Sequence, residues 1–88
     1  MRIKEGFILR EVADSYVVVA VGAASVNFKG VIKINESAAL LWRAMESEDK
    51  TVEDLVGILI NEYTIDEKTA RQDVIEFTDG LKGAGIIE

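Results

Sequence analysis

Carboxylates are the most abundant side chains in this sequence that could do chemistry. Asp73 and Glu76 share one flank of a predicted helix, and Glu46, Glu48 and Asp49 crowd one predicted loop. Paired carboxylates can serve in acid/base catalysis or bind Ca²⁺. The acidic loop, however, lacks the alternating ligands and the glycine of an EF-hand. We interpret both groups as solvated acidic surface.

Two residue types that carry much of enzyme chemistry are missing, because the chain contains neither cysteine nor histidine. Their absence removes the thiolate nucleophile, the commonest general base and the usual zinc ligands. Ser25, Ser37 and Thr69 therefore have no histidine to activate them. The sequence predicts a protein that is not an enzyme and that needs no metal or other cofactor.

Residues 80–85 contain three glycines and a lysine and could be taken for a phosphate-binding loop. Such a loop lies between a strand and the start of a helix. This one follows a predicted helix, and only three residues come after it. We interpret it as a helix C-terminus, where glycine adopts the left-handed conformation.

Length and net charge further narrow the classes of protein to which this chain could belong. We expect one domain over residues 1–88, with apolar runs far shorter than the roughly 20 residues needed to cross a bilayer. The N-terminal segment MRIKEGF does not resemble a signal peptide, so we expect a cytoplasmic protein that does not bind membranes. The net charge of −6 argues against a nucleic-acid partner, because such affinity depends largely on clustered lysine and arginine.

Three strands are predicted in the first third of the chain, at residues 7–12, 16–21 and 31–34. The first two pair as an antiparallel hairpin around a polar turn at 13–15. Residues 27–30 form a second turn candidate, in which Gly30 can adopt a positive φ angle. In the third strand the two-residue period directs alternate residues to opposite faces. Ile32 and Ile34 face the core, and Val31 and Lys33 face away from it.

Helical periodicity follows, with N-cap residues Asn35, Thr51 and Asp66 at the start of three predicted helices. Asn35 comes directly after the third strand, so strand and helix are joined without a spacer. The lone tryptophan, Trp42, is predicted to lie in the core. The third helix has a core stripe formed by Ala70, Val74, Phe77 and Leu81. The order βββααα predicts an α+β fold.

A second face of the third predicted helix stands at roughly a right angle to this stripe. It is formed by Arg71, Ile75, Thr78 and Lys82. Isolated exposed isoleucines are common, so the face could be ordinary surface. If the third strand lies at a sheet edge, its unpaired N–H and C=O groups could accept a guest strand nearby. An acidic amphipathic peptide would suit both surfaces.

Three segments of the sequence resemble motifs of the PqqD family. INESAA at residues 34–39 is similar to the LNE(S/T)AA sequence that opens the family's first helix. TVEDLV at 51–56 resembles its TVxELV second helix. DVIEF at 73–77, followed by Leu81 and Gly85, resembles its DVxxFLxxLxxxG third helix. Two positions depart from the pattern, with Thr78 in place of leucine and Ile86 in place of a frequent tryptophan.

The resemblance implies a winged-helix-like module, the RiPP recognition element, which binds the leader segment of a ribosomally made precursor peptide. It also implies a partner enzyme, typically of the radical-SAM type, to which the peptide is presented. The leader adds as a strand to the third β-strand and packs against the third helix. The residues implied are Val31, Ile32, Lys33 and Ile34 on the strand and Arg71, Val74, Ile75 and Thr78 on the helix. We expect Thr78 to put a polar group on the groove face, and Val74→Arg to weaken binding without unfolding the domain.

Two other function classes stay open at this point. A winged-helix-like layout with Arg71 and Lys82 on the third helix could bind DNA. The negative net charge of the chain argues against this function. Alternatively, the edges of two third strands could pair to form a homodimer or a larger homo-oligomer.

Overall fold

A three-stranded antiparallel sheet begins the fold, in a computed structural model that describes residues 1–28 and 30–88. Its strands are β1 (Phe7–Val12), β2 (Ser15–Ala20) and β3 (Val31–Ile34), in the spatial order β1-β2-β3. The hairpin turn is one residue shorter than predicted, because Ser15 already pairs with Val12. Ala13 closes this tight turn with a φ of 55°.

A one-turn helix between β2 and β3 was not predicted. This helix, α1 (Ala24–Asn27), stands where the sequence suggested only a loosened chain. Gly6 permits its close approach: a Cβ added there would lie 2.6 Å from the Cβ of Ala24, and the φ of Gly6 is +98°. The second turn candidate, at 27–30, lies partly outside the described residues, although Gly30 has the expected positive φ.

Three longer helices complete the chain: α2 (Glu36–Ser47), α3 (Val52–Glu62) and α4 (Glu67–Gly83). The three predicted N-caps are confirmed. The Asn35 side chain accepts a hydrogen bond from the Ala38 N–H at 2.8 Å, and Asp66 accepts one from the Thr69 N–H at 2.8 Å. Thr51 forms a reciprocal capping box at the start of α3. The predicted α+β architecture, a sheet followed by helices, is therefore confirmed.

The core lies between one face of the sheet and the packed helices α2, α3 and α4. Its buried apolar residues are Val18, Leu41, Trp42, Met45, Leu55, Val56, Leu59, Ala70, Val74, Leu81, Ile86 and Ile87. Trp42 is fully buried, as predicted. Along residues 1–28 and 30–88, no helix has both the length and the apolar character needed to cross a bilayer.

The glycine-rich C-terminal segment ends a helix, as predicted. α4 stops at Gly83, and Gly85 turns the chain with a φ of 76°. The Ile86 N–H then donates a hydrogen bond to the Leu81 carbonyl at 2.9 Å. This bond gives a partner to one of the carbonyl groups left unpaired at the end of the helix. Ile86 and Ile87 consequently return to the core, and Ile87 forms a β-bridge with Ile3.

Candidate functional site

Strand β3 forms one edge of the sheet. In the described part of the chain it pairs with β2 on one side and with no strand on the other. Alternate residues of such an edge strand direct their N–H and C=O groups away from the sheet. Val31 and Lys33 are exposed and Ile32 and Ile34 half-buried, which confirms the predicted alternation. The structure therefore offers a short main-chain edge for pairing.

A groove of about 420 Å³ opens beside the end of β3, and we call it the β3–α4 groove. It is lined by Lys33, Ile34, Asn35, Ser37, Ala38, Leu41, Leu59, Asp73, Glu76 and Phe77. Leu41 and Leu59 are buried, so they form an apolar floor together with half-buried Ala38 and Phe77. Lys33, Asp73 and Glu76 are exposed and form the charged rim.

The junction between β3 and α2 shapes one end of this groove. Asn35 has extended backbone angles, and its side chain accepts hydrogen bonds from the Ala38 N–H and, at 3.0 Å, from the Ser37 hydroxyl. The strand thus passes into the helix through one capped residue, which fixes the direction of both elements. Because Ser37 and Ala38 are small, the first turn of α2 leaves space above Leu41.

A second depression, of about 500 Å³, continues past the end of β3. It is lined by Glu11, Asp14, Ser15, Tyr16, Lys33, Ile34, Asn35 and Glu36. Lys33, Ile34 and Asn35 belong to both depressions, so the two form one path along the end of the strand. The guanidinium of Arg43 lies 5.5 Å from the centre of the Tyr16 ring, in a cation–π arrangement.

Val74 and Thr78, which the family resemblance implies as peptide contacts, are both buried, and for Val74 this agrees with its place in the predicted core stripe. Val74 has no exposed surface, and Thr78 is 2% exposed. The prediction that Thr78 lies on the second, exposed face of this helix is therefore wrong. Its hydroxyl can be buried because it donates to the Val74 carbonyl at 2.9 Å, within the same helix. The buried arc of α4 extends past Val74 as far as Thr78, which is about 40° further around the helix.

Arg71 and Ile75 lie on a different flank of α4 from the groove. Each is two residues from Asp73, hence about 200° around the helix, and neither lines the β3–α4 groove. Arg71 forms a bidentate ion pair with Glu53 of α3, with a second contact to Glu67 at 3.3 Å. The hydrogen bonds that Arg71 donates to Glu53 raise the pKa of the Arg71 guanidinium and lower the pKa of Glu53. Ile75 is 43% exposed.

The structure brings together a different set of residues from the one predicted. Lys33 and Ile34 of the predicted set line the groove, whereas the α4 wall consists of Asp73, Glu76 and Phe77. Sequence reasoning missed this wall, although it noted that the two carboxylates share a flank. An acidic pair beside Phe77, at the edge of the core stripe, was the available signal. That any of the eight predicted residues contacts a peptide stays a prediction, and the groove favours Lys33 and Ile34 over Arg71 and Ile75.

Comparisons with known proteins agree with this architecture. TbiB1 in complex with the TbiA(beta) leader peptide matches with a TM-score of 0.77 at 19% identity, covering 100% of this chain and 95% of that chain. A lasso peptide synthetase B1 complexed with the leader peptide matches with a TM-score of 0.75 at 17% identity, covering 99% and 95% respectively. At these identities the likeness establishes the fold. A search of curated protein sequences gives no significant match.

The comparison with family sequence models shows the family of this chain as well as its fold. The sequence model described as coenzyme PQQ synthesis protein D (PqqD) matches residues 8–87, which is nearly the whole chain. The match includes β1 from Ile8 onwards, β2, β3, all three long helices and every residue that lines the β3–α4 groove. It confirms the resemblance seen in the three sequence motifs: the chain belongs to the PqqD family.

Proposed function

We propose that this protein is a non-catalytic adaptor that binds the leader segment of a ribosomally synthesised precursor peptide and presents it to a modifying enzyme. The observation that carries the proposal is the open edge of β3 directly beside a groove with an apolar floor. Membership of the PqqD family supports it. So do the two structural neighbours, both of which are described in complex with leader peptides.

In the proposed complex the leader adds to β3 as a further strand. Main-chain hydrogen bonds to residues 31–34 hold it, and these bonds are independent of the leader's sequence. Alternate side chains of an added strand point to the same face, about 7 Å apart. Those on the inner face enter the β3–α4 groove above Leu41 and Leu59, so the groove selects among leaders.

The capped corner at Asn35 contributes to affinity through preorganisation. Because its side chain already fixes β3 relative to α2, the receptor loses little conformational freedom when a peptide docks. The sheet and helices carry the site, while the leader alone must become ordered. The part of the precursor beyond the leader stays free for a second protein.

We extend the proposal to the partner and the setting. The modifying enzyme is of the radical-SAM type, in pyrroloquinoline quinone biosynthesis or a related peptide pathway of the cytoplasm. The adaptor, a single domain over residues 1–88, holds no cofactor of its own. Arg71 pairs with Glu53 and Glu67, so one of the two cations that suggested DNA binding is already neutralised, which favours a peptide over a nucleic acid.

A pair of arginine variants tests the site. Ala38→Arg places a long side chain in the groove at half-buried Ala38, and arginine is a good helix former, whereas Ile75→Arg adds the same charged side chain on the other flank of α4. With synthetic leaders from precursor genes adjacent to this one, Ala38→Arg should weaken binding by about 30-fold, the cost of about 2 kcal/mol at a contact residue. Ile75→Arg should bind like the parent protein.

NMR titration of the ¹⁵N-labelled protein locates the peptide directly. The proposal predicts shifts along residues 31–34 and at Ala38 and Phe77, and slower amide exchange on the open edge of β3. Shifts confined to the Arg71 and Ile75 flank would contradict it. Sedimentation without peptide checks the competing homodimer, in which the same edge would pair with a second copy.

A further inference from the structure

The path along the end of β3 is unusually acidic. Five carboxylates line its two depressions: Asp73 and Glu76 in the β3–α4 groove, and Glu11, Asp14 and Glu36 in the second depression. Of the residues that the structure describes, Lys33 is the one cation in either lining. The path therefore carries a negative charge that its own lining does not balance.

Several other surface carboxylates have partners, whereas these five have none in the described ranges of the chain. Glu53 and Glu67 pair with Arg71, and Glu48 pairs with Lys50. Asp54 and Asp66 accept hydrogen bonds as caps of their helices. The five lining carboxylates form no ion pair or side-chain hydrogen bond within the described part of the chain, that is, without Lys29. Their charge is thus available to a ligand.

A metal ion does not account for this charge. Among residues 1–28 and 30–88, no group of three or more carboxylates is arranged to hold a cation. The carboxylates instead belong to separate elements along the path, with Asp73 and Glu76 on α4, Glu36 on α2 and Glu11 on β1. An extended ligand that follows both depressions fits this distribution better than a point charge does.

We propose that the leader bound by this protein is a basic, amphipathic peptide. Its lysine or arginine side chains enter the β3–α4 groove and pass Ile34. This inference rests on the proposed function. The long apolar stem of such a side chain covers Leu41 and Phe77, while its cationic head reaches the carboxylates at the rim. An acidic leader would meet Asp73 and Glu76 with like charge.

The inference reverses the sequence expectation of an acidic peptide. That expectation depended on two surfaces: the helix face of Arg71, Ile75, Thr78 and Lys82, and the third strand with Val31 and Lys33. The structure places Arg71 outside the groove and neutralises it with Glu53 and Glu67. The charge that a peptide meets in the groove is therefore that of Asp73 and Glu76 against Lys33, the single cation among the described lining residues.

The test uses the full chain and a random twelve-residue peptide library displayed on phage. Peptides that bind the parent protein but not the groove variant Ala38→Arg should contain more lysine and arginine than aspartate and glutamate. The best binder, synthesised with each basic residue changed to glutamate, should lose at least about tenfold in affinity, with a loss that shrinks in high salt.

Two matched charge reversals on α4 show whether the preference for basic peptides depends on the groove. Asp73→Lys and Asp79→Lys change the same exposed residue type by the same charge, but Asp79 does not line the groove. Asp73→Lys should weaken the basic binder about tenfold and improve its glutamate version, while Asp79→Lys should leave both nearly unchanged. Equal effects of the two variants would overturn the inference.

The outcomes separate this inference from the proposed function. The peptides that Ala38→Arg excludes could show no preference for basic residues, or a preference for acidic ones. Either result overturns the inference and leaves the adaptor function standing. Failure of Ala38→Arg to exclude any binder contradicts the groove as the site, and the inference falls with it. Basic binders that depend on Asp73 and not on Asp79 support both.

Discussion

Val74→Arg is the substitution on which the sequence and the structure disagree most. Val74 has no exposed surface and belongs to the core cluster beneath α4. The change forfeits about 2 kcal/mol of valine burial and forces an unpaired guanidinium into the core, at a cost of several kcal/mol more. At about 0.1 kcal/mol per residue, 88 residues give a total stability of about 9 kcal/mol. The variant should therefore lose most of its stability.

The neighbouring Ile75→Arg supplies the control, because Ile75 is 43% exposed and an arginine there can reach water. Urea unfolding of both variants can be followed by the fluorescence of Trp42, which is the chain's lone tryptophan and is fully buried. We expect Val74→Arg to be largely unfolded, or to unfold at far lower urea, and Ile75→Arg to unfold near the parent midpoint. A Val74→Arg variant with the parent midpoint would refute the burial of this position.

Three further changes test other parts of the fold. Asn35→Ala removes the cap of α2 and should lower the free energy of unfolding by about 1 kcal/mol in urea, with Asn35→Ser as a conservative control. Gly6→Ala should lower the melting temperature, because its Cβ would lie 2.6 Å from that of Ala24 at a φ of +98°; an unchanged temperature would contradict this packing. A backbone hydrogen bond from Thr51 lowers the pKa of Asp54, and a side-chain hydrogen bond from Thr69 lowers that of Asp66, both from 3.8. Each carboxylate therefore stabilises the fold above about pH 4 and loses this effect as pH falls through its lower, folded-state pKa, so the urea midpoint should be lower at about pH 3 than at about pH 6.

The elements of this fold were largely visible in the sequence because their signals are local. Asn35, Thr51 and Asp66 mark the starts of α2, α3 and α4, since capping depends on residues only two or three positions apart. Helix α1 was missed for the opposite reason. Its four residues carry no periodic pattern, and the turn packs against Gly6, which is 18 residues before Ala24.

The site was only half predictable. Two-residue alternation correctly divided β3 into Val31 and Lys33 on one face and Ile32 and Ile34 on the other, because a strand has only two faces. A helix has a continuous circumference, so periodicity relates residues to one another without saying which flank meets the sheet. The ion pair between Arg71 and Glu53, 18 positions apart, is likewise a product of packing that no local pattern contains.

The burial of Thr78 changes the meaning of its departure from the family pattern. The family motif places leucine at this position, and the substitution was expected to alter the peptide-facing surface. Since Thr78 is 2% exposed and bonded to the Val74 carbonyl, it belongs to the support of α4 and not to the groove. Changes at Val74 or Thr78 should therefore act on stability first. If the leader binds in the β3–α4 groove as proposed, changes at exposed Asp73 or Glu76 should act on peptide choice and leave stability nearly unchanged.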